Sequence, residues 1–181
     1  MSLFPTPDNT LCLIVDIQER LMPVLHGGPH MIAQTRMLLS GLQALAVPVL
    51  ITEQYPKGLG QTLAEIRELA EQAPVFEKTR FSACIPEVNA ALDARGVRHV
   101  IVVGAESHVC VLQTALELQQ SGRRVHLPAD CVASRHLTHK KNAVRQMSEA
   151  GIIITNTESL LFQLLGDAKH PAFKTISNLV R

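Results

Sequence analysis

Aromatic side chains are scarce in this chain. There is no tryptophan, one tyrosine and five phenylalanines, together 3% of 181 residues. Bases would find few stacking platforms, and a formal net charge of +1 offers no basic face for a phosphate backbone. No nucleic-acid partner is expected. Long apolar runs are also missing. None approaches the roughly 20 residues of a membrane span, so no membrane partner is expected either. Met1-Ser2-Leu3-Phe4-Pro5 has no basic stretch before an apolar one, which gives no secretory signal and suggests a cytoplasmic location. The four cysteines, Cys12, Cys84, Cys110 and Cys131, form no CxxC pair and read as reduced thiols. Neither a GxGxxG after the first strand nor a Walker loop occurs, so no nucleotide cofactor is expected. Gly58-Leu59-Gly60 reads as turn glycines.

What is present is a regular alternation. Hydrophobic residues make up 46%, enough for a sizeable core in a single domain over 1–181. Leu11–Val15 is a continuous apolar run ending at Asp16, as in parallel strands covered on both faces. Further strand signals lie at Val47–Thr52, Val75–Phe76, His99–Val103, Arg124–Leu127 and Ile152–Thr155. Helical patterns lie at Met31–Ala46, Thr62–Gln72, Ile85–Arg95, Cys110–Ser121, Thr138–Ala150 and Glu158–Leu165, with Gln54–Gln61 as a loop. The pattern predicts a three-layer α/β/α fold with a six-stranded parallel, Rossmann-like sheet and right-handed crossovers. Ligands in such folds bind beyond the carboxyl ends of the strands. Asp16, Lys78 and the turn Gly104–Cys110 all fall at such ends.

A cysteine is a good nucleophile as its thiolate. Cys110, read as lying in the first turn of a helix, would have that form favoured by unpaired backbone N–H groups. The Lys78 ammonium would add to this, and Asp16 could take the thiol proton and return it to a leaving amine. Each residue has a plain reading too. An Asp after a strand can cap or turn, a lysine can simply be solvated, and a cysteine can be a small core residue. His108, two residues before Cys110, reads as a turn histidine; His136, His139 and Lys140–Lys141 read as a solvated loop and helix start.

Val15-Asp16-Ile17-Gln18, Glu77-Lys78-Thr79-Arg80-Phe81-Ser82 and Gly104-Ala105-Glu106-Ser107-His108-Val109-Cys110-Val111 resemble the three signature blocks of the isochorismatase-like cysteine hydrolase superfamily, in the same order. Thr52–Gly60 is similar to the subgroup of isochorismatase domain-containing proteins. The resemblance implies Asp16 as general base and acid, Lys78 as electrostatic partner and Cys110 as nucleophile. It implies a cis peptide from Ala105 to Glu106, with the Glu106 and Cys110 N–H groups forming an oxyanion hole. It also implies a homo-oligomer, expected as a dimer or tetramer, for which Cys131–Lys141 and the helix after Cys110 are candidate contacts. Family nicotinamidases carry an Asp/His metal site; here Glu53, Gln54 and Tyr55 follow Thr52, and no catalytic metal is expected. Gln18, Gln54, Tyr55 and Phe81 are candidates to contact a small-molecule substrate. The cysteine favours hydrolysis of an amide or carbamoyl C–N bond through a thioester. The competing expectation is a non-enzymatic or redox-sensing scaffold that keeps the fold.

Overall fold

The structure is a computed structural model that describes residues 4–181. Met1, Ser2 and Leu3, part of the segment read as lacking a secretory signal, lie outside the described residues. The strands are β1 (Thr10–Val15), β2 (Val49–Gln54), β3 (Val75–Lys78), β4 (His99–Ala105), β5 (Arg124–Pro128), β6 (Val132–Ala133) and β7 (Ile153–Thr155). The helices are α1 (Gly28–Ala44), α2 (Pro56–Leu59), α3 (Ala64–Leu69), α4 (Pro86–Ala94), α5 (Leu112–Gln120), α6 (Leu137–Glu149), α7 (Thr157–Leu165) and α8 (Phe173–Leu179). All pairings between these strands are parallel, in the order β3-β2-β1-β4-β5-β7, and β6 joins β4 beyond the end of its pairing with β5.

The sheet therefore has seven strands where six were expected. The extra one is two residues long, too short to leave a periodic signal between Cys131 and Ser134. α2 is a single turn inside the segment read as a loop, and α8 was not anticipated. α1 starts a turn earlier than read, because Pro29 is tolerated in a first turn.

Alternation along the strands builds two cores. Cys12 and Ile14 of β1, with Ile101, Val103 and Ala105 of β4, face α1, α3, α7 and α8. Leu11, Leu13 and Val15, with Val100 and Val102, face α4, α5 and α6. Both faces of the central strands are covered, which is why β1 and β4 are buried at every position. Among the described residues, no helix is long and apolar enough to cross a membrane.

β1 lies between β2 and β4, and the chain runs outward from it in both directions. This is the switch point at which open parallel sheets leave a crevice at their carboxyl ends. Gly104 lets β4 close against β1 there. Its φ is +120°, and a Cβ would sit 1.9 Å from the Val15 carbonyl oxygen. Only glycine fits that conformation and that space.

Candidate active site

Asp16 follows the last residue of β1 with φ of 55°, a left-handed conformation that a short polar side chain tolerates. Its carboxylate is fully buried. Lys78 closes β3, two strands away, and its long side chain spans β2 to reach it. Lys78 Nζ donates to Asp16 Oδ2 at 2.7 Å, with both side chains 0% exposed. The same ammonium lies 2.7 Å from Gln54 Oε1, 2.9 Å from the Phe81 carbonyl oxygen and 3.3 Å from that of Arg80. Thr52 supplies the other side of the carboxylate, its hydroxyl donating to Asp16 Oδ1 at 3.0 Å.

Cys110 lies in a π-helical turn, Ser107–Val111, that starts after β4. α5 begins only at Leu112, so Cys110 precedes the helix and is not in its first turn. The thiol is near enough to Asp16 and Lys78 for both to shift its ionisation. Burial, then the Asp16 charge, push the thiol up to about 12, against the opposing pull of Lys78. The expected preformed thiolate is thus corrected: desolvation beside a carboxylate outweighs the lysine, and the resting form is the thiol. Asp16 is itself raised, by burial, although Lys78, Cys110 and Thr52 all oppose that shift.

The Ala105–Glu106 peptide is cis. The Glu106 side chain turns away from this chemistry to Arg135, accepting from its backbone N–H at 2.8 Å and from Nε at 3.1 Å. His108 pairs through Nδ1 with the Ser134 hydroxyl at 3.0 Å.

The candidate substrate contacts divide. Gln18 is 0% exposed. Its amide bonds the backbone of Gln54 at 3.0 and 2.7 Å and the Gly60 carbonyl at 2.7 Å. It has no group left for a ligand and acts as a clasp between the loops after β1 and β2. Gln54 accepts from Lys78 through Oε1 and donates through Nε2 to the Thr79 carbonyl, 2.8 Å away. Tyr55 and Phe81 are 56% and 54% exposed and remain open to a ligand. Tyr55 joins Lys78, Arg80 and Ile85 in lining a cleft of about 480 Å³.

Two residues of the site escaped the sequence. Thr52 is one; a lone hydroxyl in the apolar run Val49–Thr52 was its only signal. Thr114 is the other. Its hydroxyl donates to the Cys110 carbonyl at 2.6 Å and accepts from the Ala83 N–H at 2.8 Å, tying the Cys110 turn to the segment after Lys78. Among the described residues, no group of three or more His, Cys, Asp or Glu side chains has a metal-holding arrangement. The Glu53 carboxylate is occupied by the Thr62 N–H and hydroxyl, at 2.7 and 2.8 Å.

A family model described as the isochorismatase domain matches residues 10–159. The chain belongs to the isochorismatase family. It is 43% identical over 176 residues to isochorismatase domain-containing protein 1 of Salmo salar, covering 97% of this chain and 62% of that protein. It thus spans less than two thirds of the length of the first curated relatives it matches. Of solved structures, the MAR1 ribonuclease of Caenorhabditis elegans superposes with a TM-score of 0.94 at 40% identity, over 98% of this chain and 92% of that one. The YcaC gene product of Escherichia coli shares the fold, with a TM-score of 0.88 at 19% identity over 99% and 96% of the two chains.

Proposed function

We propose that this isochorismatase family member is a metal-independent cysteine hydrolase that cleaves an amide or carbamoyl C–N bond of a small substrate. The observation that carries the reading is the buried Asp16–Lys78 pair at 2.7 Å with the Cys110 thiol beside it. A buried carboxylate of raised pKa is a suitable proton acceptor for a thiol that is not ionised at rest.

In the first half-reaction, Cys110 Sγ bonds to the carbonyl carbon as its proton passes to Asp16. The carbonyl π bond breaks and its electron pair moves to the oxygen. Backbone N–H groups of the turn, those of Glu106 and Cys110, are the proposed donors to that oxyanion. Collapse re-forms the carbonyl, breaks the C–N bond and carries the Asp16 proton to the leaving nitrogen, leaving a thioester. In the second half, water gives a proton to Asp16 and its oxygen to the acyl carbon. Collapse breaks the C–S bond, returns the proton to sulfur and releases the acid. Lys78 moves no proton; it holds Asp16 and offsets negative charge on sulfur. Tyr55 and Phe81 are the proposed substrate contacts. The reading includes no cofactor.

The structural relative from C. elegans is named a ribonuclease, against the expectation of no nucleic-acid partner. One panel separates the readings: small amides, carbamoyl compounds and an RNA oligonucleotide, each with wild type and Cys110→Ala. Release of ammonia or amine that is lost in Cys110→Ala and unchanged by a chelator supports the proposal. RNA cleavage that survives in Cys110→Ala contradicts it, and no turnover of any compound favours a non-enzymatic scaffold. E. coli YcaC is described as an octameric hydrolase of unknown specificity, and a homo-oligomer is proposed here too. Light scattering that gives the mass of one chain at micromolar concentration contradicts that part.

A further inference from the structure

Gln54 stands opposite Lys78 in the β2–β3 register. Its side chain has one arrangement that satisfies both neighbours. Nε2 donates to the Thr79 carbonyl at 2.8 Å, which turns Oε1 to the Lys78 ammonium at 2.7 Å. The reverse arrangement would set an N–H group against an ammonium and an oxygen against a carbonyl. The backbone of Gln54 is fixed as well. Its N–H and its carbonyl are both bonded by the amide of Gln18, which is fully buried. The residue is therefore held at the main chain by the loop after β1 and at the side chain by the segment after β3.

This placement bears on the nucleophile through charge. Lys78 has one carboxylate partner, Asp16, and one neutral side-chain partner, Gln54. The remaining acceptors are the Arg80 and Phe81 carbonyls. A second carboxylate at position 54 would hold the ammonium equally well, but would add a negative charge to a site where a thiolate must form. An apolar side chain there would add no charge and would free the ammonium to tilt away from Asp16.

We propose that Gln54 is a positioning residue for the nucleophile: its neutral oxygen fixes Lys78 against Asp16 without adding negative charge beside Cys110. The proposal deepens the hydrolase reading and rests on Cys110 as nucleophile.

The test is the second-order rate of Cys110 alkylation by iodoacetamide at pH 8 and 9, with the adduct located by peptide mapping. Wild type, Gln54→Met and Gln54→Glu are compared, each with its thermal unfolding curve. Alkylation is expected to be fastest in wild type, slower in Gln54→Met and slowest in Gln54→Glu. The Glu variant is expected to lose about tenfold, one unit of thiol pKa. A merely structural glutamine predicts the reverse order for the variants, because Met loses both hydrogen bonds while Glu keeps the one to Lys78. That reverse order, or a wild-type rate in folded Gln54→Glu, overturns the proposal. Should Gln54→Glu not fold, Gln54→Met decides alone, and a wild-type rate in that variant overturns it. Alkylation needs no substrate, so this outcome is read independently of whether hydrolysis is found.

Discussion

Lys78 crosses an entire strand to meet Asp16. Lys78 ends β3 and Asp16 follows the end of β1, with β2 between, so their backbones stand about 10 Å apart, two strand spacings. The lysine and aspartate side chains together cover that gap, and the ammonium arrives 2.7 Å from Oδ2 with no water-exposed surface on either side chain. A buried pair of this kind is weak evidence for stability, because desolvation offsets the attraction. Its placement beside Cys110 at the sheet's switch point is what ties it to chemistry.

Breaking the pair on one side separates stability from function. Lys78→Met leaves a buried carboxylate without its cation and is expected to cost about 3–5 kcal/mol in a denaturant titration. The double variant Asp16→Leu with Lys78→Met removes both charges and is expected to recover much of that loss. It is expected to show no hydrolysis.

Thr52→Val tests the second support of Asp16. The hydroxyl bond favours the carboxylate form, so its loss raises the Asp16 pKa beyond its already raised position. A base is active when deprotonated. Activity falls as pH drops through that pKa, so the acid limb of kcat/KM is expected to move to higher pH. A limb that stays in place denies Thr52 this role.

His99 and His126 make a pH-sensitive point outside the site. His99 Nδ1 and His126 Nε2 are 2.9 Å apart and both rings are buried. Burial, then His99 and Arg124, lower His126 from 6.5 to about 4. The unfolded chain therefore binds this proton between pH 6.5 and 4 while the fold resists it. Stability rises with pH across that window and is lost as pH falls through it. Unfolding midpoints measured from pH 7 to pH 4 are expected to fall, with a shallower fall in His126→Leu.

The main features of the fold were readable in the sequence. Leu11–Val15 and Val100–Val103 are unbroken apolar runs because both faces of a central parallel strand are covered. β6 and α2 were not readable, because two residues of strand and one turn of helix carry no period. In the site, Asp16, Lys78 and Cys110 stood out as chemistry-bearing residues at the ends of predicted elements. The ionisation of Cys110 did not, because burial beside Asp16 is a property of three-dimensional packing. Gln18 and Gln54 are candidate ligand contacts on sequence alone. Their amides instead satisfy backbone and lysine partners that are 36 and 24 residues distant.

Gly104→Ala probes the approach of β4 to β1. The added Cβ overlaps the Val15 carbonyl at 1.9 Å in a φ that alanine avoids. A loss of more than about 4 kcal/mol is expected, read as lost soluble yield or a collapsed unfolding midpoint. A variant of wild-type stability would mean that the strand ends can separate without cost.

The central claim is that Cys110 carries the acyl group. The direct measurement is intact mass spectrometry of enzyme quenched in acid during turnover of an amide or carbamoyl compound from the panel, followed by peptide mapping. The account predicts a mass increase equal to the acyl group, located on Cys110, labile to hydroxylamine and absent from Cys110→Ala. Turnover that proceeds in Cys110→Ala at the wild-type rate, with no adduct on the wild-type enzyme, would contradict it.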